Sequence, residues 1–213
     1  RAELGLPESA FVFCAFNNAY KLMPEVFDVW MRLLSAVPAS VLWLLQNNAD
    51  MERNLRESAR ARGVDPARLV FAPKMPLGEH LARHRRADLF LDTLPVNAHT
   101  TASDALRMGL PVVTCLGPTF AGRVAASLLL ALGMPELVTR SLANYEALAL
   151  KLAREPQALG AVRATLERNR ITHSLFDTKR TCRNLEAAYR TMWERHLRGE
   201  PPASFAVPPA AIV

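Results

Sequence analysis

Five short apolar runs, none of them alternating with polar residues, constrain this chain more than any other feature. They are Phe11–Ala15, Val41–Leu45, Leu69–Phe71, Leu89–Leu91 and Pro111–Thr114, and segments of helical period separate them. A strand that is apolar on both faces must be covered on both faces, which is the habit of parallel sheets. The predicted fold is therefore α/β, a Rossmann-like doubly wound parallel sheet. Helices are predicted over Pro24–Val37, Asp50–Arg62, Leu77–Arg85 and Thr101–Met108, with Pro24 suited to a first turn and Gly63 and Gly109 to helix ends. Beyond Thr114 the chain reads as helical: Ala121–Leu132, Asn144–Arg154, Pro156–Arg168 and a long amphipathic helix over Thr178–His196. Residues 1–198 are expected to form one domain. The Pro- and Ala-rich tail, residues 199–213, has few large side chains and is expected to be extended or mobile.

Charge and cysteines exclude several function classes. The net charge of +6 is spread over several helices with no aromatic interleaving, so no nucleic acid is expected as partner. It does favour a small anionic ligand. No apolar run approaches the roughly 20 residues that cross a bilayer, so no membrane partner is expected. Cys14, Cys115 and Cys182 are odd in number and widely separated, which fits neither a disulfide framework nor zinc spacing and suits a reducing, cytoplasmic compartment. His80 and His84 could share a helix face for a metal, but no third ligand stands at suitable spacing, and no metal is expected. The chain begins without Met on the polar Arg1–Gly5 and is expected to be cut from something longer.

Three predicted strand-to-helix loops carry the chemistry. After Leu89–Leu91 comes a turn around Pro95 and Asn97, then His99, Thr100 and Thr101 where a helix should begin, running through Asp104. Hydroxyls and free N–H groups at a helix N-terminus, beyond the carboxyl end of a parallel strand, make an anion site. The same Thr101–Asp104 spacing also fits a capping box that needs no ligand. The loop after the first strand, Phe16-Asn-Asn-Ala-Tyr-Lys21, brings a lysine to the same edge, and lysines are scarce here: Lys21, Lys74, Lys151 and Lys179. A compact ammonium is a good point-charge phosphate binder. The third loop runs Ala72-Pro-Lys-Met-Pro-Leu-Gly-Glu-His80-Leu-Ala-Arg83. His80 and Arg83 lie one turn apart, so both are expected to face the cleft and meet a base, with the Met75 backbone at the base edge. The segment Gly117–Arg123 is expected to line the far side. Together these describe a nucleotide diphosphate pocket. Neither a dinucleotide fingerprint nor a Walker loop is present, which disfavours a dehydrogenase or an NTPase.

Phe16-Asn-Asn-Ala-Tyr-Lys21, Ser40-Val-Leu-Trp-Leu-Leu45, Asn97-Ala-His-Thr-Thr-Ala-Ser-Asp104 and Arg123-Val-Ala-Ala-Ser127 resemble the O-linked N-acetylglucosamine (O-GlcNAc) transferases, in particular a bacterial member. The likeness runs from about Gly5 to His196. It implies the C-terminal half of a GT-B fold, which holds the UDP-GlcNAc donor. A TPR solenoid and an N-terminal catalytic half would lie outside this chain, the latter as a partner in the cleft. The resemblance implies that Lys21 and Asn18 contact the diphosphate, with Lys21 catalytic, and that His99, Thr100 and Thr101 hold the phosphates. Asp104 would bind ribose, His80, Arg83 and Met75 uracil, and Leu45 would line the pocket. It further implies metal-independent inverting transfer of N-acetylglucosamine to Ser or Thr of acceptor proteins. Two positions depart from the family's frequent residues: Asn18 in place of Gln, and Leu77 in place of a ribose-contacting Lys. A non-catalytic UDP-binding or protein-interaction module, or another GT-B enzyme such as a UDP-sugar epimerase, are the competing readings.

Overall fold

The computed structural model describes residues 1–208. Six strands alternate with helices: β1 (Phe11–Ala15), β2 (Ser40–Leu45), β3 (Leu69–Ala72), β4 (Leu89–Leu91), β5 (Val112–Cys115) and β6 (Val138–Thr139). The helices are α1 (Pro24–Ala36), α2 (Ala49–Ala61), α3 (Leu77–Arg83), α4 (Thr100–Arg107), α5 (Val124–Ala131), α6 (Leu142–Arg154), α7 (Pro156–Thr172) and α8 (Thr178–Leu197). The sheet order is β3-β2-β1-β4-β5-β6, and every pairing is parallel. The chain winds outward from β1 to β3, then returns to β4 on the other side of β1. The β1/β4 boundary is thus the switch point, where loops diverge and a crevice opens at the carboxyl edge.

The expected doubly wound sheet is what forms, and its apolar runs are buried on both faces. Val12, Phe13 and Cys14, Leu42, all of β4, and Val112 and Val113 are fully enclosed. Helix α1 presents Val26, Phe27, Trp30 and Leu33 to the core and packs on α6, while α4 packs on α5 and α7. Pro24 opens α1, and Gly63 and Gly109 take φ of 74° and 80° just past α2 and α4, a left-handed conformation that suits glycine.

Some boundaries differ from the sequence expectation. Strand β6 was not predicted, because two residues carry no periodic signal. Helix α5 starts at Val124, since Ala121–Arg123 is held in a turn: Gly117 N–H donates to Gly122 O at 2.7 Å and Gly122 N–H to Thr119 O at 3.2 Å. Helix α3 ends at Arg83, where a tight turn over His84–Arg86 takes over. Helix α8 buries none of its residues and leaves Leu185, Tyr189, Met192, Trp193 and Leu197 at least half exposed. Residues 200–208 carry no regular structure, and the Arg195 guanidinium reaches Pro201 O and Ala203 O at 3.4 and 3.5 Å. The last five residues of the expected tail lie outside the described residues.

Candidate nucleotide-binding site

A cavity of about 390 Å³ opens at the switch point, within the range of small-molecule sites. Phe16, Asn17, Asn18, Tyr20 and Lys21 line it from the β1–α1 loop, His99, Thr100 and Thr101 from the start of α4, Leu45 from β2 and His80 from α3. The structure therefore brings Asn18, Lys21, Leu45, His80, His99, Thr100 and Thr101 to one wall-to-wall space. Met75 lies half-buried between β3 and α3 and is not among the lining residues. A larger cleft of about 590 Å³ lies at the amino ends of β4 and β5. Its Arg163 and Arg170 pair with Asp88 and Glu167, and it lies at the edge of the sheet opposite the three strand-to-helix loops.

Side-chain hydrogen bonds fasten the β1–α1 loop and the segment leading into α4 to each other. Buried Asn17 donates from Nδ2 to Thr93 Oγ1 at 2.9 Å and accepts at Oδ1 from the Thr101 hydroxyl at 2.6 Å. Lys21 Nζ donates to Asn97 O at 2.9 Å, which holds the ammonium against the segment leading into α4. Asn97 in turn donates from Nδ2 to Thr93 O at 2.9 Å. The ammonium and the helix start are thereby set by one polar lattice.

The start of α4 corrects the capping-box expectation. The residue before the first turn is His99, no side chain caps the helix, and Thr101 spends its hydroxyl on Asn17. His99 Nε2 instead lies 3.3 Å from Ala121 O, and Asn97 N–H donates to the same carbonyl at 2.8 Å. The turn Gly117–Arg123 thus braces the site from behind, with Phe120 edge-on to His99 at 6.2 Å. The uncapped amides of the first turn, with the positive end of the helix dipole, are the kind of donors an anion takes up.

The wall formed by α3 also differs from the sequence expectation. Arg83 was expected to face the cleft beside His80, but it is only 3% exposed. Its guanidinium stacks over Phe16 at 4.6 Å and donates to Pro73 O and to His80 Nδ1, each at 2.6 Å. Helical spacing placed both residues on one face, yet the fold tucks the longer side chain under the shorter. Burial and the Arg83 charge hold the His80 imidazole down to about 4, so it is neutral and keeps its proton on Nε2. His84 is fully buried, with Nδ1 2.8 Å from His80 O, and its ring meets His80 edge to face at 4.9 Å. Burial pushes its imidazole below the ordinary value. Asp104 sits one turn into α4, partly buried, and burial raises its carboxyl while the nearby His80 and Arg107 oppose that.

Asn17 and Asp92 are site residues that sequence reasoning missed. Asn17 read as a turn former. Asp92 ends an apolar strand, and a carboxylate placed directly after three buried residues was the available signal. Asp92 is wholly buried, which raises its carboxyl to about 7 against the pull of bonds from Ala98, Thr114 and Thr93 and of the Lys21 charge.

A parallel sheet in this order, with an uncapped helix start and a lysine at its switch point, defines a Rossmann-like domain with a candidate anion site at its carboxyl edge. Residues 1–185 match the family model described as glycosyl transferase family 41, and the chain belongs to that family. It is 40% identical over 201 residues to a UDP-N-acetylglucosamine--peptide N-acetylglucosaminyltransferase of Caenorhabditis elegans, covering 94% of this chain and 18% of the relative. It is 41% identical over 208 residues to the probable transferase SEC of Arabidopsis thaliana, covering 97% of this chain and 21% of the relative. The chain thus spans about a fifth of the length of these relatives. Among solved structures, a variant O-GlcNAc transferase of Thermobaculum terrenum superposes with TM-score 0.83 at 35% identity, over 93% of this chain and 39% of that one. The GT-B half expected from the resemblance agrees with this neighbour.

Proposed function

We infer that this domain holds UDP-GlcNAc and supports its transfer to Ser or Thr hydroxyls of acceptor proteins, with the rest of the protein closing the other side of the cleft. The observation that carries this reading is the convergence of Lys21 and the uncapped α4 start on one cavity wall. Departure of UDP builds negative charge on the β-phosphate. A hydrogen bond to a charged group contributes about 1.5–3 kcal/mol and a helix dipole about 0.3–1 kcal/mol. Only the share that grows in the transition state speeds the reaction. Lys21 and the amides can therefore do what a metal does in other transferases, and the reading is of metal-independent, inverting transfer. The base that takes the acceptor's proton would come from outside this chain or from the substrate. His80, neutral and with Nε2–H as its remaining ring donor, suits an uncharged base edge.

The test is a transfer assay on the full-length protein with UDP-GlcNAc and protein acceptors. Lys21→Ala should lower kcat by about a hundredfold, the scale of losing one charged donor at a developing oxyanion. The rate should be unchanged by EDTA. A near-normal rate for Lys21→Ala, or a rate lost in EDTA and restored by manganese, overturns the mechanism. Free sugar or an epimer as product, with no glycosylated protein, would favour an epimerase. UDP binding without any turnover in the full-length protein would favour a non-catalytic module.

A further inference from the structure

Asp92 holds the β4–α4 loop of the anion site without lining the cavity. Its Oδ2 accepts the Thr114 hydroxyl of the neighbouring strand β5 at 2.6 Å, which anchors the carboxylate to the sheet. Its Oδ1 accepts the amides of Thr93 at 2.8 Å and Ala98 at 2.6 Å. Those amides stand at the two ends of the loop whose Asn97 carbonyl receives Lys21 and whose exit is the first turn of α4. The Asp92 main-chain carbonyl is fixed as well, by the Tyr145 hydroxyl at 3.0 Å. One side chain thus clamps both ends of the segment that receives Lys21 and leads into α4.

We propose that Asp92 is a positioning residue for the donor site, holding the Thr93–Ala98 loop so that Lys21 and the α4 amides meet one diphosphate. This rests on the donor reading above. The groups that face Asp92 are Lys21 from the β1–α1 loop, Tyr145 from α6 and Cys115 on β5. Asparagine can keep the geometry without the charge: its Oδ1 takes both amides and its Nδ2 donates to Thr114 Oγ1. Alanine loses both.

The experiment measures donor Kd and KM for UDP-GlcNAc in full-length wild type, Asp92→Asn and Asp92→Ala, from about pH 6 to 8.5, a range that brackets a carboxyl raised to about 7. Asp92→Ala should raise Kd and KM about tenfold, the scale of losing hydrogen bonds that fix a loop. Asp92→Asn should stay within about threefold of wild type. Wild-type affinity should fall as pH rises through about 7, when a charge appears behind the diphosphate, and Asp92→Asn should remove that dependence. A purely structural role would lower the folded fraction, and so kcat, with KM unmoved. If Asp92→Ala does not fold, Thr114→Val, which removes only the anchor, should raise KM in its place. Unchanged KM in Asp92→Ala and Thr114→Val, or a wild-type pH dependence that persists in Asp92→Asn, overturns the proposal. Failure of wild type to bind UDP-GlcNAc overturns the donor reading itself, and Asp92's part in it falls too.

Discussion

Leu77 stands at the first position of α3, 68% exposed and one turn ahead of His80. It is not among the lining residues of the cavity, and an apolar side chain there brings no charge toward the His80 wall. Leu77→Lys should therefore tighten UDP about two- to fivefold, the scale of an exposed ion pair, and the gain should shrink at high salt. Calorimetric titration at two ionic strengths reads both, and an affinity unchanged at low salt would remove position 77 from the site. Single residues were legible where their chemistry is scarce: Lys21 among four lysines, and the hydroxyl pair Thr100 and Thr101 at a helix start. Arg83 was not, because helical spacing reports a face and says nothing of depth. Asn17 was not, because its two partners, Thr93 and Thr101, come from a loop and a helix remote in sequence.

Helices α1 and α6 meet through a buried polar chain in which Trp30 Nε1 donates to Tyr145 Oη at 3.1 Å and Tyr145 donates to Asp92 O. Tyr145→Phe leaves the indole N–H unpaired inside the core. It should cost about 1–3 kcal/mol, seen as a lower denaturant midpoint at unchanged m-value. A midpoint equal to wild type would show that the chain does not tie the helices. The helices themselves were readable because amphipathic segments of 13 residues, as in α1 and α6, span several turns. Strand β6 was not, since it depends on β5 already in place, and the loop Gly117–Arg123 was read without the Gly117–Gly122 backbone bond that delays the start of α5 to Val124.

For the molecule as a whole, Asp92 and His80 pull stability in opposite directions with pH. Asp92 rises from 3.8 to about 7 on folding, so the folded state holds its proton more tightly. That contribution is full below about pH 4 and is lost as pH rises through about 7. His80 falls from 6.5 to about 4, so its neutral form is favoured by folding, and stability is gained as pH rises from about 4 to 6.5. The buried His84, also lowered, adds to His80, while Asp104, also raised, adds to Asp92. Thermal melts should show stability rising more steeply with pH from about 4 to 6.5 in Asp92→Asn than in wild type, and equal slopes would mean that Asp92 is not shifted. The parallel sheet could be read from apolar runs alone, whereas its strand order and switch point could not, because they depend on which strands pair, nor could this opposition, which arises from depth of burial. Lys21 is held on the Asn97 carbonyl before any ligand arrives. A flexible side chain already docked has surrendered its rotamers during folding, so an arriving diphosphate need only replace a neutral acceptor with an anionic one. Capture of the nucleotide should accordingly be driven by heat release, with little added ordering of the lysine itself.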